Sequence, residues 1–252
     1  MRRATIAVSF LALLASVATP RPAPAETVKC TPVTALPAVI TGEGIHCLTA
    51  DLTTTMTTGA AIFIKANNVV LDLNGFSLIG LAGTGTQARG IVASQQENVT
   101  VKNGTIRGFM IGVNFGGSQS RGFVVEDIRA DRNTRNGIEV GGFGSVVRRN
   151  HVVSTGGSTF GNINVTVHGI FVTGVGPRVI DNDVIDTVKQ GTGQSRGIIL
   201  STVTDGFAVN NRVSGADVGI LISPNSTGKY RDNLTLGVAT PYVGGTSVGN
   251  NN

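Results

Sequence analysis

Along most of this chain a glycine followed by a β-branched residue returns at intervals, and each return opens a short apolar run. The steps are Gly90-Ile91, Gly137-Ile138, Gly169-Ile170, Gly197-Ile198 and Gly219-Ile220, with Gly112-Val113 and Ala61-Ile62 as weaker copies. Successive copies are separated by 29, 22, 25, 32, 28 and 22 residues. Thirteen to fifteen residues after each step stands a polar turn residue: Asn74, Asn103, Asp127, Asn150, Asn182, Asn211, Asn233. A strand-like pattern with a period in the range of about 20–50 residues predicts a stacked solenoid. Between step and turn lie further β-branched runs at equivalent places: Val69-Val70-Leu71, Val99-Thr100-Val101, Phe123-Val124-Val125, Val146-Val147 and Val179-Ile180. Stacked in register they form parallel sheets with strands about 4.8 Å apart. The polar series is expected to form one ladder inside a turn, since Asn tolerates unusual backbone angles and its amide can bond the next coil. No run sustains helical spacing.

The ends of the chain break this pattern. Residues 1–25 carry a basic start (Met1-Arg2-Arg3), an apolar run from Ala4 to Ala15 and small residues up to Ala25. The run falls short of the ~20 residues of a spanning helix, so it predicts a cleaved export signal and a secreted or periplasmic product. Residues 26–57 predict an N-terminal cap, 58–236 the coils, and 237–252 a closing strand or tail. Cys30 and Cys47, 17 apart, predict a disulfide stapling the first coil, worth roughly 3 kcal/mol. A metal pair or free thiols are the alternatives, and His46 lacks a fourth ligand at a recognisable spacing.

Composition narrows the partners. The net charge of +5 includes Arg2, Arg3 and Arg21, so the mature chain would carry +2. That balance, with no Trp and few Phe and Tyr, gives no reason to expect nucleic acid. No membrane insertion is expected once the signal is removed.

The Cys pair, Ala50-Asp51-Leu52-Thr53, Val70-Leu71-Asp72-Leu73-Asn74-Gly75, Asn98-Val99-Thr100-Val101-Lys102-Asn103-Gly104-Thr105-Ile106 and the repeated Gly-Ile steps together resemble the pectate-lyase-like superfamily. The resemblance implies an all-β, single-stranded right-handed parallel β-helix, here of about seven coils. It also implies a secreted protein of a kind that cuts, epimerises or binds acidic polysaccharides, although some such coils do no chemistry. The sequence lacks the Asn-Thr-Asp, Asp-Asp and Gly-His-Gly set of polygalacturonases, the Asp-Pro-His-Glu of mannuronan epimerases and the dense acidic cluster of pectate-lyase Ca²⁺ sites.

Counting from each Gly places Arg149 over Asp181 and His151 over Asp183, with Arg212 in the next coil and Glu126 and Asp127 in the previous one. Uronate elimination or epimerisation needs a cation on the sugar carboxylate and a base for the neighbouring C–H. Arg149 or Arg212 could supply the first, and His151, oriented by Asp183, the second. Asp181 and Asp183 could instead act as a hydrolytic pair or bind Ca²⁺ through oxygen; no other cofactor or metal is implied. The same stripe also reads as opposite charges stitching a solenoid surface. A weaker column precedes the glycines: Arg89, Asn136, His168, Arg196. Long connections predict protruding loops at about 79–89, 154–168 and 186–196, whose Phe160, Asn162, Asn164, Lys189, Gln190 and Gln194 suit sugar contacts. The reading is a secreted β-helix that engages an extended acidic polysaccharide, with lyase or epimerase activity left open. The alternative is a non-catalytic rod for adhesion or protein interaction. The oligomeric state is not legible.

Overall fold

A computed structural model describes residues 29–160 and 165–252. The leader expected at 1–25 lies outside the described residues. The chain is a parallel β-solenoid of about eight turns, one more than the Gly-Ile period indicates. The end rungs pair like the others but carry no Gly-Ile step: Ala38–Ile40 pairs with Ala60–Ile64 at one end, and Leu234–Val243 with Arg212–Ile222 at the other.

Three parallel sheets run the length of the rod. Sheet A contains Ala60–Ile64, Arg89–Ser94, Ile111–Gly116, Asn136–Val140, Val167–Val175 and Ser195–Thr204. Sheet B contains Gly44–Leu48, Val69–Asp72, Val146–Arg148, Arg178–Ile180, Gly206–Val209 and Gly228–Arg231. Sheet C contains Ser77–Ile79, His151–Gly156, Asp183–Val188 and the start of Arg212–Ile222. Thr100–Arg107 and Val124–Asp131 bend through the corner and serve both B and C.

The Gly-Ile repeat is the inner wall of sheet A. Ile62, Ile91, Val113, Ile138, Ile170, Ile198 and Ile220 stack in one register column, each no more than 1% exposed. The glycine before each one from Ile91 onward sits where the next coil's carbonyl closes in, and at Gly137, Gly169 and Gly197 sheet C closes in as well. A Cβ at Gly137 would stand 2.5 Å from Val152 Cγ1 and 2.7 Å from the Gly169 carbonyl oxygen. At Gly169 it would overlap Val184 and stand 2.7 Å from the Gly197 oxygen. Backbone cannot yield there as a side-chain tip can. Gly169→Ala is therefore expected to destabilise the fold by about 1–3 kcal/mol. Gly85→Ala, in open space, is expected to change the urea midpoint little; equal shifts would contradict the packing argument.

The polar turn series proves to be two columns, one residue out of step. Asn74, Asn103 and Asp127 have φ of 50°, 60° and 53° and share their rung position with Arg149 and Asp181, at 53° and 55°. These residues make the left-handed corner between sheets B and C. The ladder proper is the next residue in later coils: Asn150, Asn182, Asn211 and Asn233, all buried. Each Nδ2 donates back to a carbonyl of the preceding coil and forward to the following Asn Oδ1, as Asn150 does to Val125 and Asn182 at 3.0 Å each. Before Asn150 the position is held by Ile128 and Gly104. Asn is favoured at both neighbouring places for different reasons, so spacing alone merges them.

Cys30 and Cys47 form the expected disulfide, with Cα atoms 5.8 Å apart. Thr31–Val33 pairs with Gly44–Leu48, which pairs with Val69–Asp72, so these N-terminal strands stack in register on the coils. At the other end Asn251 Oδ1 accepts from the Asn233 amide and carries the ladder one step further.

Candidate functional site

The charged stripe lies on sheet C and the adjoining corner. His151 is in register with Arg129 on one side and Asp183 on the other, and Asp183 with Arg212. Asp183 Oδ1 pairs with Arg212 Nη1 at 3.4 Å. Arg149 and Asp181 occupy equivalent corner positions but bond in opposite directions. Arg149 turns to the earlier coil, with Nε 2.9 Å and Nη2 2.8 Å from Asp127 and Nη2 3.0 Å from Glu126. Its guanidinium, hydrogen-bonded to Asp127, holds that carboxyl below the usual range. Asp181 turns to the later coil and accepts from Asn210 Nδ2 at 2.6 Å. Beside Asp183 and Arg212 lies a shallow cavity of about 220 Å³ that also touches Leu234 and Leu236. The stripe is thus a chain of paired charges.

A larger concavity opens on sheet A. Its outward side chains form two columns. One, a residue before each glycine, runs Arg89, Ile111, Asn136, His168, Arg196. The other, two residues after, runs Phe63, Val92, Asn114, Glu139, Phe171, Ile199. A cavity of about 420 Å³ is lined by Arg89, Ser94, Asn114, Glu139, Phe171 and Thr173 among others. A second of about 460 Å³ is lined by Phe63, Gln87, Arg89, Met110 and Phe160 among others. The two share Arg89 and Val92, so they form one groove along the rod.

Two of the predicted loops build its wall. Thr159 N donates to the Thr84 carbonyl at 2.9 Å, and Ser158 N to Thr134 at 2.8 Å. Residues 158–160 are thereby docked against the 79–89 loop and Thr134, and Phe160 enters the groove. The third loop is pinned separately. Lys189 Nζ meets Asp217 at 3.2 Å, while the Ser195 and Asp217 backbone amides bond each other's side chains at 2.9 Å. The Ser195 amide, then Lys189, hold the Asp217 carboxyl low. Gln194 accepts from Arg196 Nη2 at 2.9 Å, at the end of the first column. Asn162 and Asn164 lie outside the described residues.

The middle of the groove is a fixed polar chain. Asn136 Nδ2 donates to Glu139 Oε2 at 2.6 Å, and His168 Nδ1 lies 3.0 Å from Asn136 Oδ1. A carboxylate only accepts, so the Asn136 amide nitrogen faces Glu139 and its oxygen faces His168. Nδ1 of His168 then carries the proton. Burial, aided by Arg196 and Arg135, pushes the imidazole down to about 3, so it is neutral. Its ring lies 5.1 Å from that of Phe171.

Sequence reasoning passed over the second column, and Glu139 with it. The signal was present two residues after each glycine, where Asn114 and Glu139 interrupt an otherwise apolar series of Val92, Phe171, Ile199 and Leu221. Among the described residues no three His, Cys, Asp or Glu side chains gather as a metal site, and no helix is long and apolar enough to cross a membrane.

No family model matches this chain, and no curated protein does. Among solved structures it is similar to the Dettilon tailspike protein gp208, with a TM-score of 0.50 and 10% identity over 83% of this chain and 55% of that one. It is also aligned with the Pseudomonas phage phi297 tailspike gp61 (TM-score 0.43, 13% identity, 79% and 40% covered). A third is the Agl-KA catalytic domain (TM-score 0.30, 10% identity, 85% and 58% covered). The chain spans about half the length of these proteins, and the likeness to the first is one of fold.

Proposed function

We propose that this chain is an extracytoplasmic protein that holds an extended acidic polysaccharide along sheet A. The observation that carries this reading is the continuous groove with Arg89 where its two cavities meet and Phe63, Phe160 and Phe171 along it. Aromatic faces pack against the C–H faces of sugars, and a guanidinium matches a carboxylate. Rungs repeat at about 4.8 Å, close to one pyranose of an extended chain, so equivalent side chains meet successive sugars. The leader-like residues 1–25 and the Cys30–Cys47 disulfide support an oxidising, extracytoplasmic setting.

The test measures retention and affinity on a panel of uronate and neutral polysaccharides, with and without Ca²⁺, and follows unsaturated and reducing ends. Arg89→Ala and Phe171→Ala are each expected to weaken uronate-polymer binding roughly tenfold. His151→Ala, on the other face, is expected to leave it unchanged. New unsaturated ends that vanish in His151→Ala or Asp183→Asn would move the reading to a lyase on sheet C, with Arg149, Asp181 and Arg212 around it. Absence of any binding would leave a structural rod.

A further inference from the structure

The groove presents a definite order of charge. Arg89 and Arg196 stand in one column four rungs apart, about 19 Å at the rung spacing. Midway between them is Asn136, and bonded to it is Glu139. Glu139 faces the cavity with one carboxylate oxygen held by the Asn136 amide. Among the described residues its partner is this amide and not a cation. The two arginines are each about two rungs away, on the order of 10 Å, a distance at which salt screens them. His168, the nearest titratable ring in the column, is neutral and adds no positive charge, while Arg196 and Arg135 act on it from outside the Asn136–Glu139 pair. From Arg89 to Arg196, which lies one rung past the Phe171 wall of the cavity, the outward columns of sheet A therefore read cation, neutral, anion, neutral, cation.

A polymer lying along this floor meets that order sugar by sugar. A homouronan carries a carboxylate on every residue, so one must sit against Glu139 with no cation between them. Like charges placed together across an interface are costly and serve to reject wrong partners. A chain whose acidic sugars are separated by neutral ones can seat its anions at Arg89 and Arg196. It then presents hydroxyls to Glu139, whose free oxygen can only accept a hydrogen bond. We propose that the sheet A groove selects an acidic heteropolysaccharide in which several neutral sugars separate the charged ones, and that Glu139 is the residue that rejects a homouronan. This inference rests on the groove being a glycan site, as proposed above.

The experiment compares two probes by calorimetry at about 0.1 M salt, where exposed charges beyond about 10 Å are screened. One is an oligosaccharide of gellan, a linear polymer with a single glucuronate in each tetrasaccharide repeat. The other is an oligogalacturonate of the same length. The gellan fragment is expected to bind the wild-type chain tighter by roughly tenfold or more. Glu139→Gln, which keeps the shape and the bond to Asn136 but removes the charge, is expected to close most of that gap by improving oligogalacturonate binding. Oligogalacturonate binding the wild type as tightly as gellan, or an unchanged gap in Glu139→Gln, would overturn the selectivity and leave the groove as a glycan site. Binding of neither probe to the folded protein would overturn both.

Discussion

Asn182→Ala is expected to lower the unfolding free energy by about 4 kcal/mol, far more than a polar residue in a turn usually commands. The side chain is 1% exposed. Its Oδ1 accepts from both the backbone amide and the Nδ2 of Asn150, each at 3.0 Å. Its Nδ2 donates to the Val147 carbonyl at 3.0 Å and to Asn211 Oδ1 at 2.9 Å. Alanine removes all four bonds and strands two buried donors of Asn150, each costing about 1–3 kcal/mol. Asn210, one residue before Asn211 in the next coil, is the comparison. It is exposed, and its Nδ2 reaches only the exposed Asp181. Asn210→Ala is expected to cost about 1 kcal/mol, mainly for placing alanine at a positive φ of 52°. Urea unfolding of the two variants side by side decides the matter. Similar midpoints would mean that the ladder amides are satisfied by water in the mutant and carry little stability.

That contrast also explains what the sequence could and could not disclose. The Gly-Ile column was legible because two demands coincide from Gly90 to Gly219: an inward β-branched residue, and a glycine where the next coil's backbone carbonyl closes in, joined at Gly137, Gly169 and Gly197 by Val152, Val184 and Val213. The end rungs escaped because Ala38–Ile40 and Leu234–Val243 pair in register without such a glycine. The Asn ladder was half legible, since Asp127 and Asn150 both serve the same corner but at neighbouring positions with opposite needs, a left-handed backbone and a buried amide. The register of His151 with Asp183 followed from counting. The groove did not. It depends on Thr159 meeting Thr84 across two loops, a contact with no local signature. It is floored by residue types, such as Val92, Asn114 and Phe171, that draw no notice singly. Charged side chains drew the reading toward sheet C, where most of them are paired with one another.

The buried imidazole of the groove sets an acid limit on the whole rod. His168 has its value pushed from 6.5 to about 3, first by burial and then by Arg196 and Arg135. Between those values the unfolded chain takes up a proton that the folded chain refuses. Stability is therefore full above about pH 6.5 and falls as the pH drops through the window toward 3, by about 1.4 kcal/mol per unit. From about pH 7 to about pH 5 the expected loss is about 2 kcal/mol. The carboxyls of Asp127 and Asp217 are held low and contribute their own loss only at more acid pH, below the unperturbed carboxylate value. His168→Gln keeps a donor for Asn136 Oδ1 and removes the titrating ring, so its urea midpoint should vary less across the same interval by the His168 share. A wild-type chain that shows the same pH slope as His168→Gln would mean that the ring takes up its proton in the folded state. The Asn136–Glu139 arrangement would then sit beside a cation, and the order of charge along sheet A would change with it.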